Sequence, residues 1–225
     1  MFTKPARPGK VKTRLIGEGA GAGLTAAEAA ELHAAFLGDV VESLGRGRFT
    51  LELAWALQPG EAEPEELLGV GGFRQRGENL GARLFHGLER AARRFELVAA
   101  VGSDHPELLP ETVEDGFRRL AAGTDVVLGP VPDGGYYLIG LRRRALKREL
   151  FDGIAWSTAS VLTETRRRCR ALGLEVELLR AGHDVDVADD LRQLARRLGK
   201  PGGAAAPRTR ALLAAWGLLP GRSVG

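Results

Sequence analysis

The alternation of short, β-rich apolar runs with longer amphipathic ones constrains this chain more than any other feature of its sequence. Phe49 to Leu57, Glu96 to Val101, Asp125 to Gly129, Tyr136 to Leu141 and Leu174 to Leu179 read as strands. An uninterrupted run such as Leu97-Val98-Ala99-Ala100-Val101 suits a strand covered on both faces. Helical patterns fill the intervals. Thr25 with Glu28 forms a capping box before a helix expected to reach about Leu44. Asn79 caps a second helix, with Leu80, Leu84 and Leu88 on one face, and Pro110 opens a third with Val113, Phe117 and Leu120. Thr158 is expected to start a fourth, with Leu162, Thr165, Cys169 and Leu172 on one side, and Leu191, Leu194 and Leu198 mark a fifth. This order predicts a mostly parallel central sheet with helices on both faces, a three-layer α/β sandwich. In such sheets ligands bind at the C-terminal ends of the strands.

With 225 residues, 44% of them hydrophobic, the chain can bury one full core. We expect one domain over residues 1–200. Residues 201–225 then form a linker around Gly202-Gly203-Ala204-Ala205-Ala206-Pro207 and a short helix with Leu212, Leu213 and Trp216. That helix would dock on the domain or on a second copy, as in a homodimer. Cys169 is the sole cysteine, so an intramolecular disulfide is excluded and a cytoplasmic location is expected; the thiol itself reads as a small core residue. No stretch approaches a membrane span, and the N-terminus lacks the apolar run of a secretory signal. The 32 basic residues are interleaved with 29 acidic ones, which describes solvated helix faces rather than a nucleic-acid groove. Neither nucleic acid nor membrane is an expected partner.

Four segments carry chemistry. The first runs from Lys4 to Leu15, where Lys4, Arg7, Lys10, Lys12 and Arg14 fall among Pro5, Pro8 and Gly9, after only Met1-Phe2-Thr3 to make a first strand. Prolines stiffen such a loop, glycine lets the backbone approach a ligand, and the cations donate charge-assisted hydrogen bonds to phosphate oxygens. It has neither P-loop nor GxGxxG spacing. The second is Gly102-Ser103-Asp104-His105, a carboxylate emerging where a buried strand ends. Asp104 suits Mg²⁺ or Mn²⁺ there, or caps a turn. The third holds Asp184 and Asp186, two apart and so on one side of an extended segment. Asp186 would complete a metal site with Asp104, or cap the next helix. The fourth is Asp133-Gly134-Gly135-Tyr136-Tyr137, which reads equally as a hairpin turn or as a pocket wall with a ring for stacking. Trp156-Ser157-Thr158 and the stretch from Gln75 to Gly81 are weaker rim candidates.

Taken in order, these segments resemble a small bacterial family with the GT-A, nucleotide-diphospho-sugar transferase type of fold. Its members are described as glycosyltransferases, some linked to arsenosugar biosynthesis. The matching residues are Lys4-Pro5 with Pro8 to Leu15, Gln75-Arg76-Gly77 with Leu80-Gly81, and Gly102-Ser103-Asp104 with Pro106. Gly129-Pro130 with Asp133 to Leu141, Trp156-Ser157-Thr158, and Asp184 with Asp186 and Asp190-Leu191 complete the set. The chain is similar, more distantly, to guanylyltransferases of cofactor F420 assembly and to molybdenum-cofactor nucleotidyltransferases.

The resemblance implies that Lys12 and Arg14 bind phosphates, with Lys4, Arg7, Gly9, Thr13, Gln75 and Gly102 around them. It implies Asp104 as the metal ligand, Asp186 as the second, and Asp184 beside them. Asp133, Gly134, Gly135, Tyr136, Trp156 and Ser157 would line the substrate pocket. The expected activity is metal-dependent transfer of a sugar from a nucleotide-diphospho-sugar to a small-molecule acceptor, with Mg²⁺ or Mn²⁺. Nucleotidyl transfer from an NTP is the alternative, and a non-catalytic nucleotide-binding protein a third reading.

Overall fold

The computed structural model describes residues 1–17, 22–62, 66–200 and 205–220. Its strands are β1 (Phe2–Thr3), β2 (Leu53–Trp55), β3 (Glu66–Leu67), β4 (Val70–Arg74), β5 (Leu97–Val101), β6 (Val126–Pro130), β7 (Tyr136–Arg142) and β8 (Val176–Leu178). Two four-stranded sheets, β1-β2-β4-β3 and β5-β7-β6-β8, meet through a parallel bridge between Phe2 and Gly102. Across that bridge β1, β2, β4, β5, β6 and β8 all point one way, while β3 and β7 run against them.

The helices are α1 (Ala26–Leu44), α2 (Leu80–Ala92), α3 (Pro110–Ala122), α4 (Val161–Ala171), α5 (Ala188–Leu198) and α6 (Pro207–Ala215). One apolar cluster joins α1 and α3 to the sheet through Val40, Leu44, Val113 and Leu120. Another joins α2 and α4 through Leu84, Leu88 and Cys169. The result is the expected three layers. Thr25 caps α1 with the full reciprocal box to Glu28, and the Asn79 side chain accepts the Ala82 N–H at the start of α2. Cys169 is fully buried and burial pushes its thiol up to about 11, so it behaves as a small apolar residue.

Several expectations need correction. Leu80 stands exposed in the first turn of α2, and only Leu84 and Leu88 of that series are buried. The fourth helix begins at Val161 rather than Thr158, because Thr158 spends its hydroxyl on the Ala155 carbonyl within the preceding turn. β3 and β4 carry no alternating apolar signal. Gly72 lies so close to the Trp55 ring that a Cβ would sit 2.6 Å from its Nε1. Glycine is what lets β4 pair with β2 there.

Gly202 to Ala204 of the expected linker lie outside the described residues. α6 packs on α1 of the same chain. Buried Asp39 of α1 accepts the Arg208 and Thr209 N–H groups at 2.9 and 2.8 Å and the Thr209 hydroxyl at 2.6 Å, so a neighbouring helix satisfies the open amides of α6. Asp39→Ala leaves these donors unpaired. We expect a cost of about 2–4 kcal/mol and a Tm lowered by roughly 5–12 °C, checked by calorimetry, with earlier proteolysis within 205–220.

Candidate functional site

β1 and β5 end side by side, and the loops leaving them build the site. Val11 and Leu15 anchor the first loop in the core, while Lys4, Arg7, Gly9, Lys10, Thr13 and Arg14 stay on its exposed side. Gly9 has φ 70°, and the Lys10 N–H closes a turn on the Arg7 carbonyl at 3.1 Å. Arg7 pairs with Glu61, which leaves Lys4, Lys10 and Arg14 as the loop cations without an ion pair among the described residues.

Lys12 behaves differently from the rest. It takes a left-handed conformation, φ 48° and ψ 34°, which turns its side chain inward until only 3% of it is exposed. Its Nζ pairs with Asp104, donates to the Val185 carbonyl at 2.6 Å, and lies 3.5 Å from Asp186 Oδ1. The Phe36 ring lies 5.3 Å away. The resemblance assigned Lys12 to phosphate. In this geometry it neutralises the two carboxylates instead, and it would have to leave them to reach a phosphate.

The carboxylates meet because the Val185 N–H donates to the Asp104 carbonyl at 2.9 Å, laying the 184–186 segment along the end of β5. Asp186 does not cap α5. Asp190 accepts the Asp186 and Val187 N–H groups at 3.0 and 2.9 Å, which frees the Asp186 side chain for Lys12. Burial opposes ionisation of Asp104, but the hydrogen-bonded Lys12 ammonium, with His33 and Lys4, outweighs it and holds the carboxyl below its ordinary value. Asp186 goes the other way, raised by burial and by Asp104 despite Lys12. Asp184 is pushed up to about 7 by burial and by the charges of Asp104 and Asp186.

That last shift has a stability consequence. Between its ordinary value of 3.8 and about 7, the folded protein holds a proton on Asp184 that the unfolded chain has released. Stability therefore falls as pH rises through that window. We expect Asp184→Asn to melt above the parent at pH 8, with the gap closing towards pH 4. A gap independent of pH would count against the raised carboxyl.

Asp133 joins Asp184, Asp186 and His183 around a cavity of about 180 Å³ that reaches Gln193 and Arg197. The Asp133-Gly134-Gly135 segment forms the β6–β7 hairpin turn, and of its residues Asp133 lines the cavity. Asp133 accepts the Gly135 N–H at 2.9 Å. Gly134 has φ 88° and packs so tightly on the Ala159 carbonyl that no side chain fits. Tyr136 is not free to stack on a ligand, since its ring packs edge-on to Trp156, 6.5 Å between centroids, within the α2–α4 cluster. Ser157 is exposed with φ 63°. Gln75 ties β1 to β2, its Nε2 donating to the Ala54 carbonyl at 2.8 Å and the Thr3 carbonyl at 3.4 Å. Gly102 gives its N–H to the Tyr137 carbonyl at 3.1 Å.

Among the described residues, no three His, Cys, Asp or Glu side chains converge as a ready-made metal cage. The two carboxylates that share Lys12 still fit Mg²⁺ or Mn²⁺, which take one or two protein carboxylates and complete their shell with water and substrate phosphates. Sequence reasoning missed His33, whose Nε2 bonds the Lys4 carbonyl at 3.0 Å and so fixes the start of the basic loop. On α1 it shares a helical face with Ala29, Ala30 and Phe36, a pattern that reads as core. It also missed Gln193 and Arg197, which carry no motif and line the cavity beside Asp184.

The sequence matches the model of a family described as uncharacterized proteins conserved in bacteria (DUF2064) over residues 31–158. A provisionally named nucleotide-diphospho-sugar transferase from Desulfovibrio desulfuricans G20 is 33% identical, covers 97% of this chain and 94% of its own, and superposes with a TM-score of 0.83. Two further structures share the fold. A CMP:2-keto-3-deoxy-manno-octonic acid synthetase complexed with CTP is 12% identical, with 96% of this chain and 97% of that chain covered and a TM-score of 0.54. A cytidylyltransferase from Leptospira borgpetersenii serovar Hardjo-bovis is 11% identical, with 100% and 96% covered and a TM-score of 0.54. No curated protein matches the sequence. No helix among the described residues is long and apolar enough to cross a membrane. The family match and the Desulfovibrio relative together place this chain in the DUF2064 family, with the mostly parallel α/β fold of a nucleotide-diphospho-sugar transferase.

Proposed function

We propose that this protein is a transferase that binds a nucleotide's phosphates against the loop of residues 4–14 and moves a sugar from a nucleotide-diphospho-sugar to a small acceptor. The observation that carries the reading is the pairing of Asp104 and Asp186 around one buried cation, directly below a loop whose other cations face outward. The name of the Desulfovibrio relative supports the same chemistry. Lys4, Lys10 and Arg14 hold phosphate oxygens, and the carboxylate pair holds Mg²⁺ or Mn²⁺. The ion, when bound, neutralises charge on the diphosphate leaving group. The small cavity beside Asp133 and Asp184 holds the acceptor, where a carboxyl titrating near 7 can accept a hydroxyl proton.

Nucleotidyl transfer from an NTP is the second reading. The excess of outward cations over what a diphosphate needs favours it, as does the CTP-bound protein that shares the fold. Thermal shifts with nucleotide sugars and with NTPs, each with and without Mn²⁺, separate the two. Mn²⁺-dependent stabilisation by a nucleotide sugar, with slow release of nucleoside diphosphate, is expected for the first. Pyrophosphate release from an NTP would establish the second, and no response to any nucleotide would remove both.

A further inference from the structure

The cavity beside Asp133 and Asp184 is walled by two kinds of polar group. Acceptors are the first. Asp133 accepts the Gly135 N–H with Oδ1, and Asp190 accepts the Asp186 and Val187 N–H groups with Oδ2, so each keeps a free oxygen. Asp186 faces Lys12 with Oδ1 at 3.5 Å, and Asp184 has no hydrogen-bond partner among the described residues. Donors are the second kind. Arg197 donates through Nε to Glu107 at 2.7 Å, and its buried Nη2 has no partner among the described residues. Gln193 donates one N–H to Asp189 at 2.7 Å and keeps the rest of its amide. Gln193 and Arg197 stand one turn apart on α5 and so share a side of that helix.

A wall that both accepts and donates is satisfied by hydroxyl groups, each of which does both. An anionic group would meet the carboxylates of Asp133, Asp184, Asp186 and Asp190 against one guanidinium that Glu107 already neutralises. An ammonium brings donors only and leaves the Arg197 end without an acceptor. The volume, about 180 Å³, has room for roughly six water-sized groups. We propose that the acceptor is a small uncharged polyol, of about three or four carbons, that bears neither phosphate nor carboxylate; this rests on the sugar-transfer reading above. In the transfer, one of its hydroxyl oxygens bonds to the anomeric carbon as the bond from that carbon to the diphosphate oxygen breaks. The electron pair leaves with the nucleoside diphosphate, and the hydroxyl proton passes to a carboxylate of the wall.

Saturation-transfer NMR on the full chain, without nucleotide or metal, compares probes of one skeleton: glycerol, glycerate, glycerol phosphate and serinol. We expect glycerol to bind at least about tenfold more tightly than either anion, and more tightly than the ammonium of serinol. Gln193→Leu and Asp133→Asn should each weaken glycerol by about threefold or more, the worth of one hydrogen bond. An anion or serinol that matches glycerol overturns the proposal. So does a glycerol signal that is absent, or that both variants leave unchanged. The transfer reading is tested separately, with a nucleotide sugar and Mn²⁺, where glycerol should speed release of nucleoside diphosphate at least about tenfold over water alone. Faster release with an anion than with glycerol overturns the polyol class and leaves sugar transfer standing. Glycerol that binds without speeding release removes its role as acceptor, and no release with any probe removes the sugar-transfer reading itself.

Discussion

Asp104→Asn is expected to abolish Mn²⁺-dependent stabilisation by a nucleotide sugar and to lower turnover at least about 100-fold. The variant keeps the shape of the side chain and removes its charge, so the pair that receives the ion loses one of its two anions. Metal-free nucleotide binding should change by no more than a few fold, because Lys4, Lys10 and Arg14 lie on the outer side of the loop and do not touch Asp104. Stability falls as well, because Lys12 stays buried with Asp186 alone to balance it. The cost should be about 1–3 kcal/mol, below that of a fully enclosed pair, since 40% of the Asp104 side chain is exposed. The sign of its pH dependence follows from the lowered carboxyl. That contribution is present above the ordinary carboxylate pKa and is lost as pH falls through the folded value. Parent and variant should therefore converge in acid. A variant that kept the parent's Mn²⁺ response would show that the ion binds elsewhere.

Much of this architecture was legible because local signals agreed with tertiary ones. The capping box at Thr25, the apolar run of β5 and the Pro110 start of α3 each have one dominant physical reading. What escaped was set by contacts distant in sequence. β4 is a strand because Gly72 lets it approach Trp55, which no pattern within 70–74 reveals. The antiparallel course of β7 followed from a turn that was recognised but held open between hairpin and pocket. At the site, residue types were readable and partners were not. Asp186 reads as a cap, and only the structure shows that it lies one residue before the cap position, with Asp190 accepting the Asp186 and Val187 N–H groups. Lys12 looks like four other loop cations until its left-handed backbone turns it inward.

Lys12→Met separates the two roles open to this lysine. Methionine keeps most of the apolar stem beside Phe36 and removes the ammonium that Asp104 and Asp186 share. Two carboxylates then face each other with no cation between them. We expect a loss of about 2–4 kcal/mol near pH 8, seen as a Tm lower by roughly 5–12 °C. Protonating one carboxyl relieves the repulsion, so most of the loss should disappear by about pH 5. Millimolar Mn²⁺ should restore Tm in the variant and bind it more tightly than the parent in the absence of nucleotide, because the ion no longer competes with a resident ammonium. The nucleotide result then divides the roles. Unchanged metal-saturated affinity makes Lys12 a counterion that yields its place to the metal, whereas a tenfold loss means that it moves onto the phosphates once displaced. A variant as stable as the parent at pH 8, with no Mn²⁺ response, would sink the shared-cation site itself.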